Sequence, residues 1–205
     1  MIFLNYIKEN WIELLGVGLS FIYLYLSIRQ KIGLWLFGFL SSALYVVVFF
    51  QAKLYADMTL QFYYLGVSLY GWINWKRGRS EQGEEMEIVT IERGFIYPLA
   101  LYSFLIFGVY YWVLVRFTDS TVPLGDSFVT ALSVVATWML ARKLLENWLV
   151  WIVANGLSIA LFLYKGLYPT VLLTSVYCVM SVVGYLAWRK QRKRYREPKA
   201  VFNCL

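Results

Sequence analysis

The sequence has no histidine and only two cysteines among its 205 residues. Without histidine, an imidazole general base, a histidine proton relay and a histidine zinc site are all excluded. Two cysteines are too few for a metal cluster; Cys204 lies in the C-terminal tail, and Cys178 lies in an apolar run where we expect it to pack. A glycine-rich phosphate loop is absent too, so ATP-driven pumping is not indicated. We therefore expect no cofactor and no metal.

Charge is scarce as well, because Asp, Glu, Lys and Arg make up 15% of the chain, against about 25% in a soluble domain. Hydrophobic residues make up 60% and aromatic residues 20%. Such a chain would expose large apolar patches to water, so its composition predicts an integral membrane protein. The net charge of +7 lies in loops and in the tail rather than on one folded face. No nucleic acid is therefore expected as a partner.

The two halves of the chain repeat one pattern at an offset of 113 positions. Arg29 aligns with Arg142, and Trp35 aligns with Trp148. Apolar duplications are typical of membrane proteins that hold a substrate path between two similar bundles. Four residues that form a stripe along one helix of the first half align with four that do the same in the second half. They are Tyr64, Ser68, Gly71 and Trp75, which align with Tyr177, Ser181, Gly184 and Trp188.

Apolar runs of about 20 residues predict seven transmembrane helices. The turns at 30–32 and 165–167 are so short that the helices they join are antiparallel. With three helices in each repeat and one helix between the repeats, both repeats cross the membrane in the same direction. The sequence thus predicts an all-α fold with 3+1+3 parallel repeats. The predicted helices are 12–28, 33–52, 55–75, 95–115, 126–141, 147–164 and 168–188.

This plan divides the chain into six segments. The polar stretch from Lys76 to Arg93 is expected to be a flexible cytoplasmic linker rather than a metal or regulatory site, since its interspersed charges are well solvated. The segments are 1–11 (N-terminal, periplasmic side), 12–75 (first repeat), 76–93 (linker), 94–125 (central helix and outer loop), 126–188 (second repeat) and 189–205 (basic cytoplasmic tail).

Lysine and arginine concentrate on one side of the predicted helices. The positive-inside rule makes this side cytoplasmic, which places the N-terminus outside and the C-terminus inside. The basic tail that begins at Arg189 is expected to lie against anionic membrane lipid. No basic region and no cleavage site mark the N-terminus, so no cleavable signal peptide is expected.

The sixth predicted helix carries the strongest candidate for a binding site. Trp148, Trp151 and Asn155 are spaced i, i+3 and i+7 and share one helical face. Two indoles and an amide can sandwich a flat ring and hydrogen-bond its edge. Alternatively, Trp148 faces lipid near the helix end. The first repeat has Gly38 and Ser42 at the positions of Trp151 and Asn155, and such broken symmetry suits one asymmetric ligand.

Other residues have competing explanations. Gln61 lies in an apolar run one turn from Tyr64 and aligns with Thr174 in the second repeat. Its amide needs a hydrogen-bond partner, so Gln61 is a candidate for lining the path. The small residues of the shared stripe are expected to allow close helix packing. Trp75 and Trp188, just before basic residues, are expected to be interfacial anchors. The helix dipole explains the acidic residues near helix starts: Glu13, Asp57 and Asp126. The alternative for Glu13 and Asp126 is an anionic vestibule for a cationic solute.

These residues resemble the PnuC family of vitamin transporters over nearly the whole chain. The second half carries a pattern similar to the family signature W-x-x-W-x-x-x-N, at Trp148, Trp151 and Asn155. The first-half matches are Gly33-Leu34-Trp35, 49–56, Leu60-Gln61 and 70–75, and the second half adds Arg142-Lys143 and Glu146-Asn147. The resemblance implies a SWEET-like homotrimer in the bacterial inner membrane. It also implies facilitated diffusion of an unphosphorylated vitamin, which a cytoplasmic vitamin kinase traps by phosphorylation.

The resemblance also implies substrate-binding residues, since Trp148, Trp151 and Asn155 match the family's stacking and hydrogen-bonding residues and Gln61 matches its helix-three glutamine. Further candidates for the same site are Tyr64, Ser41, Ser42 and Tyr177. Two positions depart from the nicotinamide riboside branch, since Ser41 and Val183 stand where that branch carries amides. The short N-terminus and the run from Gln61 to Tyr64 are more similar to the thiamine-type (PnuT) members. Thiamine is therefore the expected substrate and nicotinamide riboside the alternative. A lipid-modifying membrane enzyme and a non-transporting scaffold are the remaining alternatives.

Overall fold

The computed structural model describes residues 11–51, 55–78 and 86–196. These residues form seven helices, which confirms the predicted all-α fold. Most of the observed helix bounds lie within three residues of the prediction. The helices are α1 (Trp11–Ile28), α2 (Leu34–Gln51), α3 (Tyr55–Arg77), α4 (Arg93–Phe117), α5 (Pro123–Ala141), α6 (Asn147–Tyr164) and α7 (Tyr168–Arg196).

Five of these helices contain segments long and apolar enough to cross a membrane: Leu34–Gln51, Arg93–Phe117, Pro123–Ala141, Asn147–Tyr164 and Thr170–Lys193. Many of their large apolar side chains are exposed, as lipid-facing side chains are. The central helix α4 is the extreme case, because it buries no residue and packs on α5. Helix α5, in contrast, buries nine side chains and lies inside the bundle.

The carboxyl ends of α1, α3, α5 and α7 meet at one end of the bundle. The indole N–H of Trp75, late in α3, donates to the Ala141 carbonyl that ends α5, at 3.1 Å. The indole N–H of Trp188 in α7 donates to the Ser27 carbonyl late in α1, also at 3.1 Å. The third helix of each repeat is thus tied to the first helix of the other repeat. The repeats are parallel, as predicted, and we call this end the basic end.

Four tryptophans form a cluster above the basic end: Trp35, Trp75, Trp148 and Trp188. Trp35 meets Trp75 edge to face at 5.6 Å, and Trp148 meets Trp188 in the same way at 5.6 Å. The Trp75 and Trp188 rings join the two pairs at 6.5 Å. The prediction that Trp75 and Trp188 are interfacial anchors is wrong. Both are buried, and each indole N–H bonds a backbone carbonyl inside the bundle, which satisfies the buried donor.

Two symmetry-related glycines allow this cluster to form. A Cβ atom on Gly71 would lie 2.4 Å from the Trp35 ring, and one on Gly184 would lie 2.6 Å from the Trp148 ring. Real Cβ atoms do not approach so closely, so only glycine fits at either position. The prediction that these two positions serve close packing is confirmed.

The turns after α1 and α5 keep the same backbone but differ in charge. Gln30 and Lys143, 113 positions apart, both adopt left-handed backbone conformations, at φ 55° and 53°. Lys143 is 1% exposed. Its Nζ donates to Gln30 Oε1 at 3.1 Å and to the Met86 carbonyl at 2.8 Å. The Nζ also lies 4.5 Å from the centre of the Trp75 ring. A buried cation therefore closes the basic end below the tryptophan cluster.

Residues 86–92 of the predicted linker are packed against the helices in the structure. Val89 pairs with Leu144 in an isolated parallel bridge. Its N–H donates to the Lys143 carbonyl at 3.1 Å, and its carbonyl accepts from the Leu145 N–H at 2.9 Å. Ile88 is buried beneath this bridge. Apolar residues within the polar stretch dock it against the turn between α5 and α6.

Helix α7 extends eight residues past its predicted end and includes the first part of the basic tail. Arg, Lys and Gln are good helix formers, so nothing stops the helix after Trp188. Residues 1–10, 52–54, 79–85 and 197–205 lie outside the described residues, as does the side chain of Glu13. The expectations for the N-terminal segment and for Cys204 fall there.

Candidate functional site

A cavity of about 280 Å³ lies between the two repeats. Three helices of each repeat line it, and α4 contributes nothing. The first repeat supplies mainly hydroxyl and small side chains, whereas the second supplies both indoles. The lining residues of the first repeat are Ser20, Tyr23, Leu24, Ser27, Gly38, Ser41, Ser42, Tyr45, Gln61, Tyr64, Val67 and Ser68. Those of the second are Thr137, Leu140, Trp148, Trp151, Asn155, Tyr177 and Ser181.

All eight residues that the sequence singled out line this one cavity: Trp148, Trp151, Asn155, Gln61, Tyr64, Ser41, Ser42 and Tyr177. Ser68 and Ser181, which were expected to serve packing, line it too. Thr174 is buried but does not reach it. The α1 wall went unpredicted, although Ser20, Tyr23 and Ser27 recur every three or four residues along an otherwise apolar helix. That polar stripe was the signal available in the sequence.

Hydroxyl groups form one wall of the cavity. The Ser20 and Ser41 hydroxyls lie 2.9 Å apart, and Ser41 donates to the Gly16 carbonyl at 3.1 Å. Ser41 and Ser42 are both buried in adjacent positions of α2. Ser27 adds a further hydroxyl on α1 and donates to the Tyr23 carbonyl at 2.8 Å. Because each serine oxygen has two lone pairs, these bonded hydroxyls can still accept from a ligand.

Asn155 presents its amide on the opposite wall. Its Nδ2 donates to Ser181 Oγ at 3.2 Å, and Ser181 in turn donates to the Tyr177 carbonyl at 2.8 Å. These two hydrogen bonds fix the side-chain amide of Asn155, and its Oδ1 atom remains available to accept a hydrogen bond. Asn155 is 9% exposed. A buried amide held in this way serves recognition well, because a ligand that fails to pair with it leaves it unsatisfied.

Trp148 and Trp151 line the cavity from one face of α6, as their spacing predicts. Trp148 is 1% exposed, so the alternative that it faces lipid is wrong. It also belongs to the tryptophan cluster, where Gly184 supports its ring. Its indole Nε1 is buried and has no hydrogen-bond partner among the described residues. Trp151 is partly buried and closes the side of the cavity.

The two repeats exchange large and small side chains at the cavity. In the first repeat, Tyr23 of α1 covers Gly38 of α2, where a Cβ atom would lie 2.9 Å from the Tyr23 ring. The aligned residues of the second repeat are Ala136 of α5 and Trp151 of α6. A large residue thus stands on the first helix in one repeat and on the second helix in the other. The exchange makes the cavity asymmetric within a symmetric frame.

The cavity surface is mostly apolar, with polar groups set into it and no formal charge. None of its lining residues is Asp, Glu, Lys or Arg. A cationic ligand would therefore meet aromatic faces rather than a carboxylate. At the end opposite the basic end, the Asp126 carboxylate accepts from Lys165 Nζ at 2.8 Å and from Ser120 Oγ at 2.7 Å. Among the described residues, no group of three or more His, Cys, Asp or Glu could hold a metal ion.

Known proteins share this architecture. Residues 10–190 match the family model described as nicotinamide mononucleotide transporter. The nicotinamide riboside transporter PnuC of Escherichia coli (strain K12) is 26% identical over 204 residues, which cover 87% of this chain and 85% of that protein. The riboflavin/roseoflavin transporter RibM of Streptomyces davaonensis is 23% identical over 194 residues, covering 92% and 89%. The crystal structure of the vitamin B3 transporter PnuC matches with a TM-score of 0.74 and 25% identity, covering 94% of this chain and 86% of that one.

Proposed function

We propose, because this chain belongs to the nicotinamide mononucleotide transporter family, that it carries nicotinamide riboside through the cavity between its repeats. Like its relatives, the chain is a membrane transporter of a vitamin, and it is not an enzyme. The observation that supports this substrate is that one cavity brings together serine hydroxyls, two indoles and two side-chain amides. Nicotinamide riboside has the complementary parts, namely a sugar, a cationic ring and a carboxamide.

Trp148 and Trp151 are our proposed partners of the nicotinamide ring. Indole faces attract a cationic ring, and the effect strengthens where water is excluded. The carboxamide has one acceptor and two donors, which suit the free carbonyl oxygen of Asn155 and the amide of Gln61. Tyr64 and Tyr177 complete the aromatic lining in our proposal, while Ser41 and Ser42, with Ser20 beside them, bond the ribose hydroxyls.

The sequence-based preference for thiamine is not supported. It depended on the short N-terminus, on the run from Gln61 to Tyr64, and on missing amides at Ser41 and Val183. Of these last two positions, Val183 is 45% exposed on the outer surface and does not line the cavity. Ser41 does line it, and the neighbouring Ser20 and Ser42 supply the hydroxyl groups that a ribose needs. Riboflavin, whose ring system is tricyclic, fits a cavity of about 280 Å³ less well than a one-ring nucleoside.

Transport in our proposal is facilitated diffusion, since the cavity offers no charged side chain to couple an ion. Phosphorylation by a cytoplasmic kinase would then trap the vitamin. We place the basic end in the cytoplasm of a bacterial cell, with the N-terminus outside, because lysine and arginine concentrate at that end. The functional division into two repeats, a linker, a central helix and a tail, and the assembly as a homotrimer, belong to the same proposal.

Counterflow in proteoliposomes without any ion gradient tests this function. Vesicles loaded with unlabelled nicotinamide riboside should accumulate the labelled compound. The double variant Trp151→Ala, Asn155→Ala should lose this exchange, whereas Trp112→Ala should keep it, since Trp112 lies 56% exposed on α4. Exchange that survives in the double variant would refute the site.

Competition identifies the substrate. Unlabelled nicotinamide riboside should block the uptake of its labelled form at lower concentration than thiamine or riboflavin does. A stronger effect of thiamine would restore the preference drawn from the sequence and overturn the assignment made here.

A further inference from the structure

A second cleft, of about 390 Å³, lies at the basic end of the bundle, away from the central cavity. One side is the last part of α7, and the other is formed by Thr90 and the residues just before α6. Three of its lining residues are cations, Arg189, Arg192 and Lys193, and one is a carboxylate, Glu146. Nothing in the proposed transport path uses this cleft.

The helix extension creates the cationic side. Arg189, Arg192 and Lys193 are spaced i, i+3 and i+4, which places them on one face of α7. The third helix of the first repeat ends at Arg77, whereas α7 runs on to Arg196. The cationic side of the cleft is therefore built on a part of α7 that extends beyond the length of its counterpart α3.

The opposite side is held in place by the docked linker. Arg192 Nη2 donates to Thr90 Oγ1 at 3.1 Å, which fixes the guanidinium at the cleft. Glu146 Oε2 accepts the backbone N–H of Ile91 at 3.1 Å. One oxygen of the single carboxylate in the cleft is thus held by the backbone of the linker.

The three cations have no carboxylate partner among the residues that the structure describes. Within the part of the chain that the structure describes, no carboxylate oxygen lies within 4.0 Å of a nitrogen of Arg189, Arg192 or Lys193. Like charges at i, i+3 and i+4 repel each other, so their convergence is unfavourable until an anion neutralises them. Two guanidinium groups and a hydroxyl beside one cleft are donors that match a phosphate, because the planar fork of arginine bonds two of its oxygens at once.

We propose that this cleft binds a phosphate group, with Arg189 and Arg192 as the main donors and Lys193 and Thr90 as supporting ones. Two sources carry this chemistry. Helix α7 has 29 residues and is about 43 Å long, more than the hydrocarbon core of about 30 Å, so its basic end lies at the depth of lipid headgroups. An anionic phospholipid could therefore supply the phosphate. A soluble phosphate on the same side of the membrane is the other source.

Thermal unfolding of the full-length protein separates the sources. The protein is titrated with inorganic phosphate in detergent and, separately, reconstituted in nanodiscs of phosphatidylglycerol or of phosphatidylcholine. Stabilisation by phosphate assigns a soluble ligand, and stabilisation by phosphatidylglycerol over phosphatidylcholine assigns a lipid. In Arg189→Gln and in Arg192→Gln, each of which removes one charged donor, the apparent affinity for the stabilising phosphate or lipid should fall about tenfold. Arg192→Lys, which keeps the charge and loses the fork, should fall between wild type and Arg192→Gln.

Lys190→Gln is the matched control, because Lys190 is exposed on the same helix but does not line the cleft. It removes one charge and should leave both effects unchanged. Equal losses in Lys190→Gln and Arg192→Gln would show that only net charge matters, and would overturn the proposal. Absence of stabilisation by all probes would overturn it as well. None of these measurements requires transport.

Discussion

At the scale of single residues, the cavity depends on positions where no side chain is present. Gly38 is the clearest case, since the Tyr23 ring occupies the space that a Cβ atom would take. Gly156 of α6 is a useful contrast because nothing lies within 4 Å of the Cβ position there. The same chemical change thus has opposite consequences at two helical glycines. At the open position, Gly156→Ala is expected to raise the free energy of unfolding by up to about 1 kcal/mol, since glycine is a poor helix former.

We expect Gly38→Ala to push Tyr23 into the cavity and to weaken nicotinamide riboside binding about tenfold or more, while the protein still folds. Gly156→Ala should bind normally and unfold at the same or a slightly higher temperature. Ligand-induced thermal shifts of the two purified variants provide the measurement. Wild-type affinity in Gly38→Ala would contradict the placement of Tyr23.

The glycines beneath the tryptophan cluster separate stability from binding. Gly71→Ala should displace Trp35, which does not line the cavity, whereas Gly184→Ala should displace Trp148, which does. Each change should cost about 1–3 kcal/mol of stability through overpacking. Only Gly184→Ala should also reduce substrate affinity in the folded protein. The prediction fails if both variants lose affinity to the same extent.

At the scale of elements, the two repeats are tied together by hydrogen bonds from indoles to helix-terminal carbonyls. The Trp75 bond joins α3 to α5, and the Trp188 bond joins α7 to α1. Phenylalanine keeps most of the apolar surface but removes the donor. We expect Trp75→Phe and Trp188→Phe each to lower stability by about 0.5–1.5 kcal/mol, the usual net value of one hydrogen bond. The loss stays modest because each carbonyl keeps a second donor: Ala141 accepts from Asn74 Nδ2 at 2.9 Å, and Ser27 accepts from the Gln30 N–H at 3.1 Å.

The control for this pair is Trp112→Phe, since Trp112 is exposed on α4. It should unfold like the wild type in detergent, as followed by thermal denaturation. A loss of stability in Trp112→Phe equal to that of the two cluster variants would show that tryptophan content, rather than the bonds between repeats, is responsible.

The elements also show what sequence patterns can predict. Helix bounds, the antiparallel turns and the parallel repeats followed from apolar runs of membrane length, because the bilayer fixes how long a span must be. The docking of residues 86–92 did not follow, since Val89 pairs with Leu144 across a long stretch of sequence. Trp75 and Trp188 were misplaced for a similar reason. Tryptophan before basic residues is typical of the interface. These two are buried instead because they pack against tryptophans and bond carbonyls that are distant in the sequence.

The candidate site was easier to predict than its surroundings. Indoles and amides stand out in an apolar helix, so Trp148, Trp151 and Asn155 are visible from spacing alone. Serines are less conspicuous, because a serine inside a helix also bonds its own backbone, as Ser27 does with the Tyr23 carbonyl. Which serines face the cavity depends on how α1 is rotated in the bundle, and local sequence does not fix that rotation.

At the scale of the whole molecule, the orientation in the membrane can be tested with single cysteines. Cys178 and Cys204 are first replaced by serine. Thr121→Cys then places a thiol in the exposed loop before α5, and Glu87→Cys places one in the exposed part of the basic end. We expect a membrane-impermeant maleimide to label position 121 in intact cells and position 87 only in inverted vesicles, as the positive-inside rule requires.

Each cysteine variant is the control for the other, because both thiols should react once the membrane is dissolved in detergent. Labelling of position 87 in intact cells would show that the orientation is the reverse of the one proposed. The phosphate cleft would then lie on the outer surface, where a cytoplasmic phosphate could not reach it.

The exchange of Tyr23 and Gly38 for Ala136 and Trp151 has a consequence for any attempt to make the two halves alike. Gly38→Trp alone would set an indole against the Tyr23 ring, since even a Cβ atom at position 38 would lie 2.9 Å from that ring. Copying the second half into the first at these positions therefore requires Tyr23 and Gly38 to change together.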